Sequence, residues 1–419
     1  MKLIFKIRLL LKALCCFILV GSILIACTAI SHSKELGSHY QSTVEQEIYR
    51  NIYIYDSNGI AIYSGGFSDN ESLRASTFHI VGDRNGSVTT SILAKTQYEL
   101  QNADKSVFTG FKPEKRVFDL TIDSDLQINC YDILNGLGYN GSIVISDYKT
   151  GEIKAMVSTP SVDVYNTDCI RDGAFLNKAA MCYPPGSVFK AVAAAAVIES
   201  DNSAKRALYN CYGKYGYVKC IYGRQHGNQT FKTVLSNSCN CGVAAIASRY
   251  LTLEEFNSFI DKKQIMSSDV VAGYDIASGN LSEDLLWGAN GQSTVLISPL
   301  QIANFYNAIA NDGVAEKLYF DKSYDSDESN RIMSEATADY IAEALKEVTK
   351  ARGISVNSFG KTGTAEYDGD EISSAWFACS LVDDALPSYT IVVFLEHAGS
   401  SDLAVEVAKE IIETQVLGG

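Results

Sequence analysis

Tyr183-Pro184-Pro185-Gly186-Ser187-Val188-Phe189-Lys190 runs directly into Ala191-Val192-Ala193-Ala194-Ala195-Ala196-Val197-Ile198. Prolines and a glycine cannot extend a helix into this point, and alanines favour one beyond it. The pattern predicts a helix beginning at Ser187 that is apolar on nearly every face and therefore buried. Lys190 lies three residues on, one turn up the same face. An amine is thereby placed beside a hydroxyl, near a positive helix end and in poorly hydrated surroundings. Helix dipole and desolvation both disfavour the ammonium, so Lys190 reads as a neutral amine able to act as a base. A serine alone is a weak nucleophile and needs such a neighbour.

The Ser-x-x-Lys spacing is not specific by itself. It recurs at Ser31/Lys34, Ser146/Lys149 and Ser358/Lys361, where the surroundings read as tether, hairpin and strand entry. A helix cap beside a solvated lysine explains the spacing equally well. The remainder of the chain decides between the two readings.

The chain has 419 residues, 47% of them hydrophobic and 20% charged, a composition typical of a globular protein with room for two domains. A net charge of −14 with no basic stripe excludes a nucleic-acid binder. With five histidines and no close His/Cys/Asp cluster along the sequence, no metal site and no cofactor is expected. The acidity is interrupted at the N-terminus. Lys2, Lys6, Arg8 and Lys12 precede an apolar run from Ala13 to Ala26, the pattern of a membrane anchor or signal sequence. Residues 1–12 read as a cytoplasmic leader and 13–30 as a single span, which leaves the rest outside the membrane. Leu24-Ile25-Ala26-Cys27 also resembles a lipoprotein cleavage box, with Cys27 as the lipidation site. Cysteines 15, 16 and 27 belong to this segment. Of the other eight, Cys211 and Cys220 bracket a Tyr/Gly-rich loop that a disulfide could close, with free buried thiols as the alternative.

Residues 31–40 read as a polar tether opening a small β-rich domain, 31–115, with a hairpin at Asp56-Ser57-Asn58-Gly59. Region 116–419 opens with Leu120-Thr121-Ile122-Asp123 and a hairpin through Ser142–Ser146 and Glu152–Val157. Helices are expected after Thr252-x-x-Glu255 and Ser298-Pro299 and over Ala336–Lys350. Three strand-like runs, Phe359–Tyr367, Ser374–Val382 and Tyr389–Glu396, precede an amphipathic helix Asp402–Gln415. Strands at both ends with helices between predict an α+β fold: an antiparallel sheet flanked by helices.

Downstream of Ser187 come Ser238-Cys239-Asn240 and Phe359-Gly360-Lys361-Thr362-Gly363-Thr364. Each fragment recurs elsewhere, but only the set Ser187/Lys190, Ser238/Asn240, Lys361/Thr362/Gly363 combines order, spacing and setting: helix mouth, loop and strand start. This set resembles the penicillin-binding proteins, most closely the monofunctional (class B) serine D,D-transpeptidases. The similarity covers roughly residues 117–417. Supporting runs are Gly151–Ser158 with Pro160, His226-Gly227, Gly291-Gln292 and Ser298-Pro299-Leu300-Gln301-Ile302-Ala303. The resemblance implies a penicillin-binding/β-lactamase-like domain with a five-stranded sheet. It also identifies 31–115 as a pedestal, although the family's Arg-Gly and Asp-Arg-Asn-Gly runs appear only as Arg50-Asn51 and Asp56-Ser57-Asn58-Gly59.

The resemblance implies roles for these residues. Ser187 attacks the carbonyl between two D-alanines, Lys190 takes its proton, and Ser238 relays a proton to the leaving amine. Asn240 holds the substrate amide, and Lys361, Thr362 and Thr364 engage its carboxylate. Gly363 lets the edge strand approach the peptide, and the Ser187 and Thr364 amides form an oxyanion hole. Asn240 could instead cap a helix Gly242–Tyr250, and Lys361 could be an edge-strand charge. The implied partners are peptidoglycan stem peptides, β-lactam antibiotics and a multi-span glycan polymerase, since 31–115 is too short for a glycosyltransferase. A D,D-carboxypeptidase and a serine β-lactamase remain alternatives. The glutamate of a class A β-lactamase's Glu-x-x-Leu-Asn run is not supplied by Glu254-Glu255-Phe256-Asn257. A non-catalytic β-lactam or wall-peptide receptor, or a scaffold, is the reading from another class.

Overall fold

A computed structural model describes residues 6, 12, 17–28, 30–31, 46–102, 114–168, 170–324, 328–365 and 373–418. Most of the expected leader and tether, together with Cys15, Cys16 and Cys169, lies outside the described residues. Residues 17–28 are helical, and among the described residues no helix is long and apolar enough to cross a membrane.

The chain divides into two compact units. The smaller comprises Met1–Ile52, Ser64–Gly66 and Asp104–Arg116. Within it the carbonyls of Asn51 and Ile52 accept from Arg116 N and Gly65 N, each at 2.9 Å. The larger comprises Tyr53–Tyr63, Phe67–Ala103 and Val117–Gly419. Much of the stretch expected to form a separate β-rich domain therefore folds with the C-terminal region.

That stretch is also less β-rich than its composition suggests. The hairpin turn at Asp56–Gly59 forms, with Asp56 Oδ1 accepting from Asn58 N at 2.9 Å and Ile60 N at 2.7 Å. Two helices follow, Glu71–Val81 and Ile92–Asn102. Asn70 caps the first by accepting from Leu73 N at 3.1 Å. Leu73 and every residue from Ala75 to Val81 are buried, so the helix is enclosed nearly all round and two hydroxyl residues stand at core positions. Thr77 Oγ1 spends its donor on the Leu73 carbonyl at 2.5 Å, so its burial leaves no polar group unpaired. Ser, Thr and His among the buried positions hide the helix from hydropathy.

Arg74 of this helix forks onto Asp163, Nε to Oδ1 at 2.7 Å and Nη2 to Oδ2 at 2.9 Å. Both side chains are largely buried. The guanidinium holds the Asp163 carboxyl below the usual carboxylate range. Arg74→Ala would strand that carboxylate, so a loss of about 3–5 kcal/mol is expected in urea unfolding. A loss under about 1 kcal/mol would show that water already screens the pair.

The larger unit is built on five strands: β1 (Gly141–Asp147), β2 (Ile153–Thr159), β3 (Ser358–Ala365), β4 (Ser374–Leu381) and β5 (Tyr389–Leu395). They stand in the order β3-β4-β5-β1-β2, antiparallel throughout, as expected. Every residue of β4 is buried, because helices cover both faces. On one face α1 (Ser124–Gly136) and α6 (Ser401–Ile411) close a core in which Leu126, Leu134, Val405 and Ile411 meet Ile143, Phe377 and Val393. Between them in sequence lie α2 (Lys190–Ser200), α3 (Asn240–Tyr250), α4 (Pro299–Ala310) and α5 (Glu335–Ala351). On the opposite face Ser146 Oγ of β1 donates to Asn307 Oδ1 of α4 at 3.0 Å. The expected capping box forms between Thr252 and Glu255, and Pro299 opens α4 as expected, with Ser298 and Gln301 forming a second box there. Among the described residues, the edge position of β3 leaves one side of the Lys361–Thr364 run without a neighbouring strand.

Candidate active site

The nucleophile segment departs from the expected helix start. Gly186–Phe189 is a 3₁₀ turn, and the α-helix begins only at Lys190. Gly186 has φ +55°, and a Cβ there would lie 2.5 Å from the Thr364 carbonyl oxygen of β3. Its N–H donates to Gly291 O at 2.9 Å. Glycine is thus required twice over, for the left-handed backbone and for the close approach. In a 3₁₀ turn residues i and i+3 eclipse, so Ser187 and Lys190 share one side of it. Trp376 Nε1 donates to Pro184 O at 3.0 Å and Tyr306 OH to Val188 O at 3.0 Å, bracing the turn on both flanks. Among the described residues Ser187 Oγ makes no hydrogen bond, and the side chain is half-buried.

Lys190 is fully buried. Its Nζ donates to Ser238 O at 2.9 Å, Ser238 Oγ at 3.0 Å and Asn240 Oδ1 at 2.5 Å. Burial pushes the amine from 10.5 down to about 7, against an opposing pull from the thiols of Cys239, Cys220 and Cys241. The first and second motifs are therefore joined through one amine.

Ser238 stands in a tight turn between helix Phe231–Ser236 and α3, at φ +53°. A non-glycine residue in this region is strained by about 1–3 kcal/mol and persists where its surroundings demand it. Here Ser238 N is tied to Leu235 O at 3.1 Å and Cys239 N to Val234 O at 2.9 Å. Asn240 is the first residue of α3 rather than its cap. The cap is Cys239, whose sulfur accepts from Gly242 N at 3.3 Å. Asn240 Nδ2 donates to Lys219 O at 3.1 Å.

On β3, Lys361 is buried and its Nζ donates to Thr362 O at 3.0 Å. Burial first, then the charge of Lys190, holds its pKa well below the ordinary lysine value. Thr364 is half-exposed. Gly363 has a different local requirement from the one the resemblance implies. A Cβ there would sit 2.7 Å from Pro185 O and 3.1 Å from Val188 Cγ1, so glycine lets the edge strand press against the nucleophile turn. Sequence reasoning left Gly291 and Gln292 without roles. Gly291 anchors Gly186, and Gln292 Nε2 reaches Thr364 O at 3.5 Å. Thr294 shapes its loop, its Oγ1 donating to Leu281 O at 3.0 Å.

Residues 141–413 match the penicillin-binding protein transpeptidase domain. The chain belongs to this family. It is 25% identical over 347 residues to the peptidoglycan D,D-transpeptidase PbpA of Mycolicibacterium smegmatis, with 70% of each covered. Over 337 residues it is 28% identical to penicillin-binding protein PbpB of Mycobacterium tuberculosis, covering 68% of this chain and 48% of that one. It likewise spans 50% of the probable D,D-transpeptidase PenA of Neisseria gonorrhoeae. Penicillin-binding protein A of M. tuberculosis, solved as a ceftriaxone acyl-enzyme, superposes with a TM-score of 0.68 at 19% identity, covering 88% of this chain and 99% of that one. Pseudomonas aeruginosa PBP2 in complex with WCK 5153 gives 0.71 at 21%, covering 87% and 95%. These likenesses establish the fold. As a penicillin-binding protein the chain is an acyl-transferring enzyme of the peptidoglycan D,D-transpeptidase class.

The thiols of this penicillin-binding protein follow the free-thiol alternative and come together in space. Cys211, Cys220, His226 and Cys239 lie together, their ligand atoms all within 4.8 Å of one another, where the sequence shows no close cluster. The disulfide considered for Cys211 and Cys220 is absent: both are free, their sulfurs 3.7 Å apart. Two short ladders create the cluster. Leu208–Cys211 pairs with Gly227–Thr230, setting Cys211 opposite Gly227, and the Lys214–Lys219 hairpin returns the chain to Cys220.

Proposed function

We propose that this chain crosslinks peptidoglycan stem peptides through an acyl-Ser187 intermediate. Ser187 Oγ attacks the carbonyl between two D-alanines as its proton passes to Lys190, and the C–N bond then breaks. Ser238 hands a proton to the departing D-alanine amine. An acceptor amine from a second stem peptide attacks the ester and frees Ser187. The observation that carries this reading is Lys190, buried, near neutrality, and bonded to Ser238 and Asn240. The Ser187 and Thr364 amides supply the oxyanion hole, and Asn240 holds the substrate amide. Lys361, Thr362 and Thr364 take the substrate carboxylate, an anion that favours the Lys361 ammonium on arrival.

A deacylating glutamate of the β-lactamase kind is not offered by Glu255. Its carboxylate is committed to the Thr252 cap, at 2.8 Å from the backbone N–H and 2.9 Å from Oγ1. The basic leader and following apolar segment support a single-pass protein with its catalytic part outside the cytoplasm. A separate multi-span glycan polymerase would supply the strands.

Incubation with benzylpenicillin should leave a stable adduct of one drug mass on the peptide containing Ser187, read by intact mass and digestion. A D-Ala-D-Ala stem peptide supplied with an acceptor amine should yield the crosslinked dimer. Hydrolysed monomer alone would identify a carboxypeptidase, and rapid drug turnover a β-lactamase. Folded protein that forms no adduct would favour the scaffold. Acylation should also slow as pH falls through about 7, because protonation of Lys190 removes the base. A rate flat from pH 6 to 8, by stopped-flow or quenched mass analysis, would exclude Lys190 from that role.

A further inference from the structure

We infer that Cys211, Cys220, His226 and Cys239 form a structural zinc site that clamps the second catalytic motif in place. Tetrahedral zinc, with bonds of about 2.3 Å to thiolate and about 2.0 Å to imidazole, implies edges of about 3.8 Å between sulfurs and about 3.6 Å from sulfur to nitrogen. The observed separations are 3.7 Å for Cys211 to Cys220, 3.7 Å for Cys220 to Cys239, and 3.5 Å from Cys211 Sγ to His226 Nδ1. Three thiols and one imidazole are the soft set that selects zinc among common divalent ions. All four positions come from protein and the three cysteines are buried, the closed arrangement of a structural rather than a catalytic metal.

The backbone is arranged to support thiolates. Gly213 N donates to Cys211 Sγ at 3.4 Å and Gly242 N to Cys239 Sγ at 3.3 Å. Such bonds orient and stabilise metal-bound sulfur. Cys241 abuts Cys220 at 3.4 Å but falls outside the set of four.

The segment holding three of the ligands has little regular structure of its own, and is otherwise held by the buried Val218 and by bonds from Tyr215 to Ser248 and Tyr217 to Asp284. Its strands are two to four residues long, and Leu208, Tyr212, Tyr217, Ile221 and Tyr222 are exposed. Short elements without a core need a staple, and a metal is one. The fourth ligand, Cys239, lies between Ser238 and Asn240, both of which hold Lys190. Asn240 is tied a second time to Lys219, beside Cys220. Zinc on Cys239 would hold the strained Ser238 turn against Lys190. The catalytic consequence rests on the proposed roles of these residues, whereas the metal site does not.

The full chain should carry one zinc per molecule by plasma mass spectrometry. With cobalt(II) in its place, it should show thiolate-to-metal charge transfer and the strong visible bands of tetrahedral ligation. Cys211→Ser and Cys239→Ser should lose both signals, and Cys182→Ser should keep them. Stripping the metal should slow benzylpenicillin acylation by about 10²-fold, the scale of a small misplacement of reacting groups, and zinc should restore it. Substoichiometric zinc, cobalt without the thiolate band, or a mapped disulfide among the three cysteines would overturn the site. Should the variants fail to fold, the wild-type stoichiometry and cobalt spectrum decide alone. Unchanged acylation after stripping would refute the clamp. A zinc-loaded chain that never acylates would instead sink the transpeptidase reading and leave the metal site standing.

Discussion

Ser187→Ala is expected to abolish the benzylpenicillin adduct completely while leaving the fold unchanged. The hydroxyl carries no structural bond: among the described residues Ser187 Oγ has no partner. The turn around it is held by Gly186 N to Gly291 O, Tyr306 to Val188 O and Trp376 to Pro184 O, none of which uses the serine side chain. Alanine suits the helix that follows. Stability in urea should therefore change by no more than about 0.5 kcal/mol, so a lost adduct can be assigned to the lost nucleophile. An adduct persisting on the alanine variant would place the acyl group on another residue and dismiss the proposed mechanism.

Lys190→Met should slow acylation and change how stability depends on pH. Removing the base should slow acylation by about 10²–10⁴-fold, read as the rate of adduct formation. Methionine fills a similar volume but leaves Ser238 O, Ser238 Oγ and Asn240 Oδ1 without their donor, so stability should fall by about 1–3 kcal/mol where the amine is neutral. The pH dependence follows from the shift. Folded Lys190 titrates at about 7 against 10.5 for an ordinary lysine, so between these values the unfolded chain binds the extra proton. Wild-type stability then falls as pH drops from about 10 to about 7, by at most about 1.4 kcal/mol per unit, and levels off below. The stability of the methionine variant relative to wild type should therefore increase as pH falls over that window. A constant difference between the two proteins would show that Lys190 stays protonated in the fold, which is incompatible with its role as base.

Much of the architecture is legible along the chain because its signals are local. Thr252-x-x-Glu255 and Ser298-Pro299 start helices by satisfying their own first N–H groups, whatever lies nearby. The apolar runs of β4 and β5 mark strands covered on both faces. The helix Glu71–Val81 was hidden because Ser76 and Thr77 occupy core positions and bond locally or meet polar neighbours. One of these is Gln127 of α1, whose Nε2 donates to Ser76 O at 2.7 Å. Hydropathy counts such residues as surface.

Along the chain the candidate site residues and their order are legible, Ser187/Lys190, then Ser238/Asn240, then Lys361 to Thr364, because each motif needs particular residues a few positions apart. Only the tertiary structure decided what those residues meet. Lys190 reaches Ser238 and Asn240 across the gap between α2 and the turn preceding α3. Gly363 is needed because β3 presses on the Pro185 carbonyl, and the 3₁₀ turn at Ser187 depends on Gly186 fitting beneath Thr364. Cys211, Cys220, His226 and Cys239 are spread from position 211 to position 239 and converge only once two short ladders fold the chain back on itself. Local spacing encodes contacts within a turn or two of backbone. Contacts between distant segments depend on packing, which no single stretch of sequence contains.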